Sequence, residues 1–228
     1  MYSLLFALTS LMLTVSCSDG PSKKQIEAAE KPTKVIIAYI EMVEECYDDA
    51  YNSLHTIMLD ENSITENGYG GNGVLSPEEI ISAMDNDLTE MENALGLLSE
   101  EDYVSMKSSE INDGTIEGQH AESILKKAEK VPIAFSEFTS IKTSGNTKMW
   151  FFTELNSGYE FTLQSTEKGV RVDMSEAGAE KINNKIKEQA EYVYNLYNSY
   201  LEKVQEKKNI AAEKKERERE NVMRLFGW

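Results

Sequence analysis

The stretch Tyr159-Glu160-Phe161-Thr162-Leu163-Gln164 alternates apolar with polar side chains, and around it the period of the chain changes from helical to extended. Successive side chains of a strand point to opposite faces, so Tyr159, Phe161 and Leu163 share one side and Glu160, Thr162 and Gln164 the other, as in a half-buried strand. Short runs rich in aromatic and β-branched residues flank it: Ile133–Phe135, Phe138–Ile141, Met149–Phe152 and Val170–Met174. Ser144-Gly145-Asn146, Asn156-Ser157-Gly158 and Glu167-Lys168-Gly169 separate these runs as hairpin turns. Residues 132–174 are therefore expected to form a four-stranded antiparallel meander.

On both sides the pattern is helical. Ile36, Ile40, Val43, Tyr47, Ala50, Leu54 and Ile57 recur at spacings of four and three, the seam of an amphipathic helix over 33–60 that follows a breaker at Pro32. The polar run from Glu61 to Leu75, with Asn67-Gly-Tyr-Gly-Gly-Asn-Gly73, cannot hold a helix and is expected to be a mobile loop. Ser76-Pro77-Glu78-Glu79 restarts helix, with Ser76 capping, Pro77 at the first helical position and Glu79 closing a capping box. Ile80, Met84, Leu88, Met91, Leu95 and Leu98 continue the seam. Ser99 then looks like a second cap, opening a weaker helix that fades by Gly114. A further helix is expected from Ile116 to Val131, ended by Pro132.

From Ser175 to nearly the last residue the chain reads as one long helix. Ile182, Ile186, Val193, Tyr197, Tyr200 and Val204 give its first half a seam, which dissolves past Lys207 into Glu213-Lys-Lys-Glu-Arg-Glu-Arg-Glu220. The fold class expected is α+β and mostly α: a small bundle of amphipathic helices (33–131), a meander (132–174) and a long C-terminal helix (175–228), assembled as one domain.

Two readings of the charge follow. The formal net charge of −17 excludes a nucleic-acid partner, which would need a basic footprint. Between Val35 and Met106 there is no Lys or Arg and there are seventeen Asp and Glu, whereas residues 202–220 interleave both signs, as in a solvated helix laced with i,i+4 pairs.

The N-terminal segment carries an address. Residues 1–16 contain no charged side chain, are rich in Leu and are too short to span a bilayer, the composition of a signal-peptide core. Leu13-Thr14-Val15-Ser16-Cys17 resembles the lipobox of bacterial lipoproteins, with Thr14 where that family favours Leu. The resemblance implies cleavage before Cys17, acylation of that cysteine by several chains including palmitate, and anchoring to a membrane. Ser18, in place of an Asp, implies the outer membrane over the inner one, and residues 17–32 then serve as a tether. With the Cys17 thiol consumed, Cys46 has no disulfide partner.

Candidate chemistries are few. Asn72, Gly73, Leu75 and Glu79 fall at positions five, six, eight and twelve of a calcium-binding loop, but Gly68 and Gly70 stand where the first and third ligands belong, and the capping box explains the same residues. His55 and Cys46 lie nine apart on one helix and so point to opposite faces. No metal, cofactor or catalytic residue is implied. Trp150 on the meander and Leu225, Phe226 and Trp228 at the apolar tip of the charged helix are the candidate partner-contact residues. The functional expectation is a lipid-anchored envelope protein acting as a non-catalytic binding or scaffold module. The alternatives are a calcium binder through the Gly-rich loop and an enzyme of unfamiliar type.

Overall fold

The computed structural model describes residues 20–71, 73–100, 116–141, 147–167 and 169–226. Cys17 and Ser18, the weak helix expected after Ser99, and the turn at residues 144–146 lie wholly or mostly outside them. The first helix, α1 (Lys23–Leu59), is opened by a capping box in which the Ser22 hydroxyl accepts from the Gln25 amide and the Gln25 side chain answers the Ser22 amide. The helix therefore begins ten residues before the expected Thr33 and runs straight through Pro32. A proline inside a helix costs about 3 kcal/mol, but here Pro32 is buried among Ala29, Thr33, Val35 and Ile36, so packing outweighs the lost amide.

Next in the chain, β1 (Ile64–Thr65) and β2 (Gly68–Tyr69) form a small antiparallel hairpin where a mobile loop was expected. The helix α2 (Pro77–Glu100) continues through Ser99, the residue that resembled a fresh cap. It is followed by α3 (Ile116–Ala128). The meander comes next: β3 (Thr139–Ile141), β4 (Met149–Thr153), β5 (Glu160–Thr166) and β6 (Gly169–Met174) pair antiparallel in chain order. Ile133–Phe135 contributes only an isolated bridge, Phe135 to Glu154. Last, α4 (Glu176–Phe226) runs for 51 residues. The class is thus α+β, mostly α, with a four-stranded meander and a long C-terminal helix.

The two inward faces meet in one main core. Phe152, Phe161 and Leu163 from the sheet pack with Ile36, Ile37 and Ile40 of α1, Leu98 of α2 and Ile124 of α3. A second cluster lies further along, where Ala50, Leu54 and Ile57 meet Ile80, Met84 and Val193. Low-numbered α1 residues thus meet high-numbered α2 residues, and the reverse, so the two helices are antiparallel. By contrast α4 runs parallel to α1: Lys185 Nζ lies 2.6 Å from Glu44 Oε1, Gln189 Nε2 3.4 Å from Asp48 Oδ1 and Lys203 Nζ 3.0 Å from Glu61 Oε1.

The start of α4 is locked to the sheet. Ser175 donates its amide to the Glu160 carbonyl at 2.9 Å, and its hydroxyl accepts from the Gly178 amide at 2.9 Å. Only glycine suits position 178, where a Cβ would sit 2.5 Å from the Glu160 carbonyl oxygen.

Candidate functional site

The capping box at the start of α2 forms as expected. Ser76 donates its amide to Glu79 Oε2 at 2.7 Å and its hydroxyl accepts from the Glu79 amide at 3.2 Å. The bond from the Ser76 amide, and after it one from the Ser76 side chain, hold the Glu79 carboxyl below its ordinary value. The carboxylate that would have closed a calcium loop is thereby engaged in the cap, and β1–β2 occupies the residues before it.

Two to three turns further along α2, Asp87 and Glu90 stand three residues apart and so share a face. The helix α3 packs beside them and brings His120 between the two. Its Nε2 lies 3.7 Å from Asp87 Oδ1 and its Nδ1 3.6 Å from Glu90 Oε2, while Nδ1 is also 3.0 Å from the Ile116 carbonyl oxygen. One ligand atom from each of the three residues falls within 4.8 Å of the others. This is the one grouping of three or more such side chains among the described residues.

The three helices enclose a groove of about 340 Å³ on this side, lined by Cys46, Asp49, Met84, Asp87, Met91 and His120 among others. The Cys46 Sγ is 3.9 Å from the Met84 carbonyl oxygen. Burial, and then the charges of Asp87, Asp49 and Asp85, push its thiol up to about 11. At neutral pH this favours the protonated thiol. A wider cleft of about 760 Å³ between the start of α1 and α3 is lined by Glu27, Glu30, Lys31, Lys34, Glu122 and Lys126, a rim of both signs that is half-buried except at Glu27 and Lys126.

The acidic stretch of α1 finds its cations on later helices. Lys127 of α3 lies 2.7 Å from Glu45 and 3.5 Å from Glu41. Lys203 meets Glu61, and Lys207 donates to the Glu61 carbonyl at 3.1 Å. Further along α4 the ion pairs are internal, Arg217 with Glu213 and Arg219 with Glu216.

The expected partner-contact residues separate. Trp150 is 2 % exposed and belongs to the core, which corrects its reading as a recognition residue. The alternation of β4 turns Trp150 and Phe152 inward and leaves Phe151 half-covered on the other face. Leu225 is 83 % exposed near the end of α4. Phe226 is the last residue of that helix, and Trp228 lies outside the described residues. Sequence reasoning missed His120 because it sought ligand spacings along the chain, whereas this imidazole meets its carboxylates across a helix interface.

The fold defines a mostly helical α+β protein in which, among the described residues, no helix is long and apolar enough to cross a membrane. Comparison with family models, with curated proteins and with solved structures finds no match to this chain.

Proposed function

We propose that this chain is a lipid-anchored protein of the bacterial envelope, favouring the outer membrane, which works as a non-catalytic binding or scaffold module by presenting the end of α4 to a protein partner. The anchor rests on the lipobox-like Leu13–Cys17. The observation that carries the presenting role is the parallel course of α1 and α4. Because the two helices run the same way, α4 leaves the body at the pole opposite the start of α1, the described element nearest Cys17 in sequence.

Past Val204, every residue of α4 up to Leu225 is exposed except Lys207 and Ala211, which are half-covered. At 1.5 Å per residue roughly 30 Å of helix stands clear of the body. This arm is mostly charged, but Val222, Met223 and Leu225 near its end are exposed apolar side chains. An apolar tip on a solvated rod suits a contact with a protein surface.

Two measurements test the two halves of the reading. In detergent phase separation the full chain is expected in the detergent-rich phase and the Cys17→Ser variant in the aqueous phase; identical partitioning removes the anchor. Photo-crosslinkers placed at Val222 and Leu225 are expected to yield a discrete adduct in cells that a crosslinker at Glu188 does not. Absence of adducts from the arm, or the same adducts from Glu188, removes the presenting role.

A further inference from the structure

We propose that Asp87, Glu90 and His120 form a binding site for a divalent transition-metal ion, zinc foremost, which ties α2 to α3. The site is independent of the arm and of the lipid anchor. It also differs from the Gly-rich loop, whose Glu79 is engaged at the helix cap.

The separations favour a bridging ion over a direct ion pair. A charged imidazolium closing on a carboxylate draws its heavy atoms to about 2.7–2.9 Å. Here the imidazole stands 3.6 Å from one carboxylate and 3.7 Å from the other, closed on neither. Two ligands bound at about 2.1 Å with a tetrahedral angle between them lie roughly 3.4 Å apart. The 3.7 Å between Nε2 and Asp87 Oδ1 is thus close to that of two ligands sharing one ion, whereas Glu90 faces the other ring nitrogen at 3.6 Å and joins only when its carboxylate swings toward Nε2.

The imidazole is also held as a ligand would be. Its Nδ1 faces the Ile116 carbonyl at 3.0 Å, so donation there places the ring hydrogen on Nδ1 and leaves the Nε2 lone pair toward Asp87. Metal-bound histidines characteristically give their second nitrogen to such a carbonyl, which sets both tautomer and ring plane. His120 is mostly covered, with 18 % of its side chain exposed, and Asp87 is the open member at 55 %, so an ion has a path in and room for solvent ligands.

The donor set selects the ion. One nitrogen and two carboxylates suit zinc and its neighbours. Calcium wants six to eight oxygens and gains nothing from an imidazole. Asp49 also lines the groove, where Glu45 is paired with Lys127, and its charge helps to concentrate a divalent ion there. Cys46 lines the same groove but is not one of the three ligands.

Calorimetric titration of the full chain with zinc chloride is expected to give one ion per chain. His120→Ala should weaken binding by about 100-fold, Asp87→Asn and Glu90→Gln by about tenfold or more. Cys46→Ser should leave it unchanged, and calcium chloride at the same concentrations should give no heat. Nitrogen NMR of the unmutated chain supplies a check that does not rely on variants folding: zinc should shift His120 Nε2 strongly and the His55 nitrogens little. Unmoved His120 signals, equal affinity in His120→Ala, or calcium binding as tightly as zinc would each overturn the assignment.

Discussion

Glu154 has no exposure, yet its carboxylate is answered by amides and one hydroxyl, with no cation among its bonds. Its Oε1 accepts from the Ala134 amide at 2.9 Å and Asn156 Nδ2 at 2.8 Å. Its Oε2 accepts from the amides of Asn156 and Ser157 at 3.1 and 2.7 Å and from the Ser157 hydroxyl at 2.8 Å. Burial alone would push this carboxyl up, but the bonds from Ser157, Ala134 and Asn156 outweigh it and hold it below its ordinary value. Glu154 thus ties the strand-like 133–135 segment to the β4–β5 turn, a role that no spacing rule announces. Since the folded state favours the ionised form, the stabilisation is full above the unfolded carboxyl value of about 4.3 and is lost as pH falls through the lower folded value. Glu154→Gln presents an amide nitrogen to groups that themselves donate, and should cost about 3 kcal/mol at neutral pH. Urea denaturation of both forms should show the gap narrowing as pH falls below about 4. A gap that stays constant down to pH 2 would mean that the charge is not what the turn uses.

Elements held by their own periodicity were legible before any packing was known. The alternation of Phe161 and Leu163 marked the buried face of β5, and the four-three seam of Ile36 to Ile57 marked the buried stripe of α1. Elements held by distant partners were not. The β1–β2 hairpin forms in glycine-rich sequence because Ile64 buries against Tyr200 and Val204, and because the Tyr69 amide donates to the Tyr200 hydroxyl at 3.1 Å. That contact spans 131 residues of sequence. The same holds for His120, which reaches Asp87 and Glu90 only when α3 docks, and for Pro32, where burial overrides a local helix breaker. Gly68 ties the hairpin to α4: its φ is +106°, and a Cβ there would lie 3.2 Å from the Tyr200 hydroxyl. Gly73 also has a positive φ, +77°, but open space around it. Gly68→Ala should therefore cost about 2 kcal/mol, against about 1 for Gly73→Ala, where only backbone strain acts. Hydrogen exchange at the Tyr69 amide should accelerate in Gly68→Ala and in Tyr200→Phe. Equal costs at the two glycines, with no change at Tyr69, would show that the hairpin does not depend on α4.

At the scale of the molecule, the register between α1 and α4 sets the shape. Their paired side chains keep a nearly constant separation in sequence, 141 residues at Asp48–Gln189 and 142 at Glu61–Lys203. Extending that register, α1 begins level with a point before the start of α4, and Leu225 lies far beyond the end of α1. With 1.5 Å per residue, the distance from Lys23 to the tip of α4 comes to about 90 Å. Much of the chain's acidic charge sits on the shared body, where Lys127, Lys185 and Lys203 answer Glu45, Glu44 and Glu61. The arm answers its own charges with pairs three and four residues apart, so it needs no help from the body to stay soluble. Its loss should accordingly leave the body intact. Truncation after Lys207 is expected to change unfolding free energy by less than about 1 kcal/mol, since the residues removed bury little. Small-angle scattering should then show the maximum dimension shortened by about 30 Å. Unchanged dimensions would mean that the arm folds back in solution, and a large loss of stability would mean that it is part of the body. Either result would remove the separation between the start of α1 and the tip of α4 on which the proposed role depends.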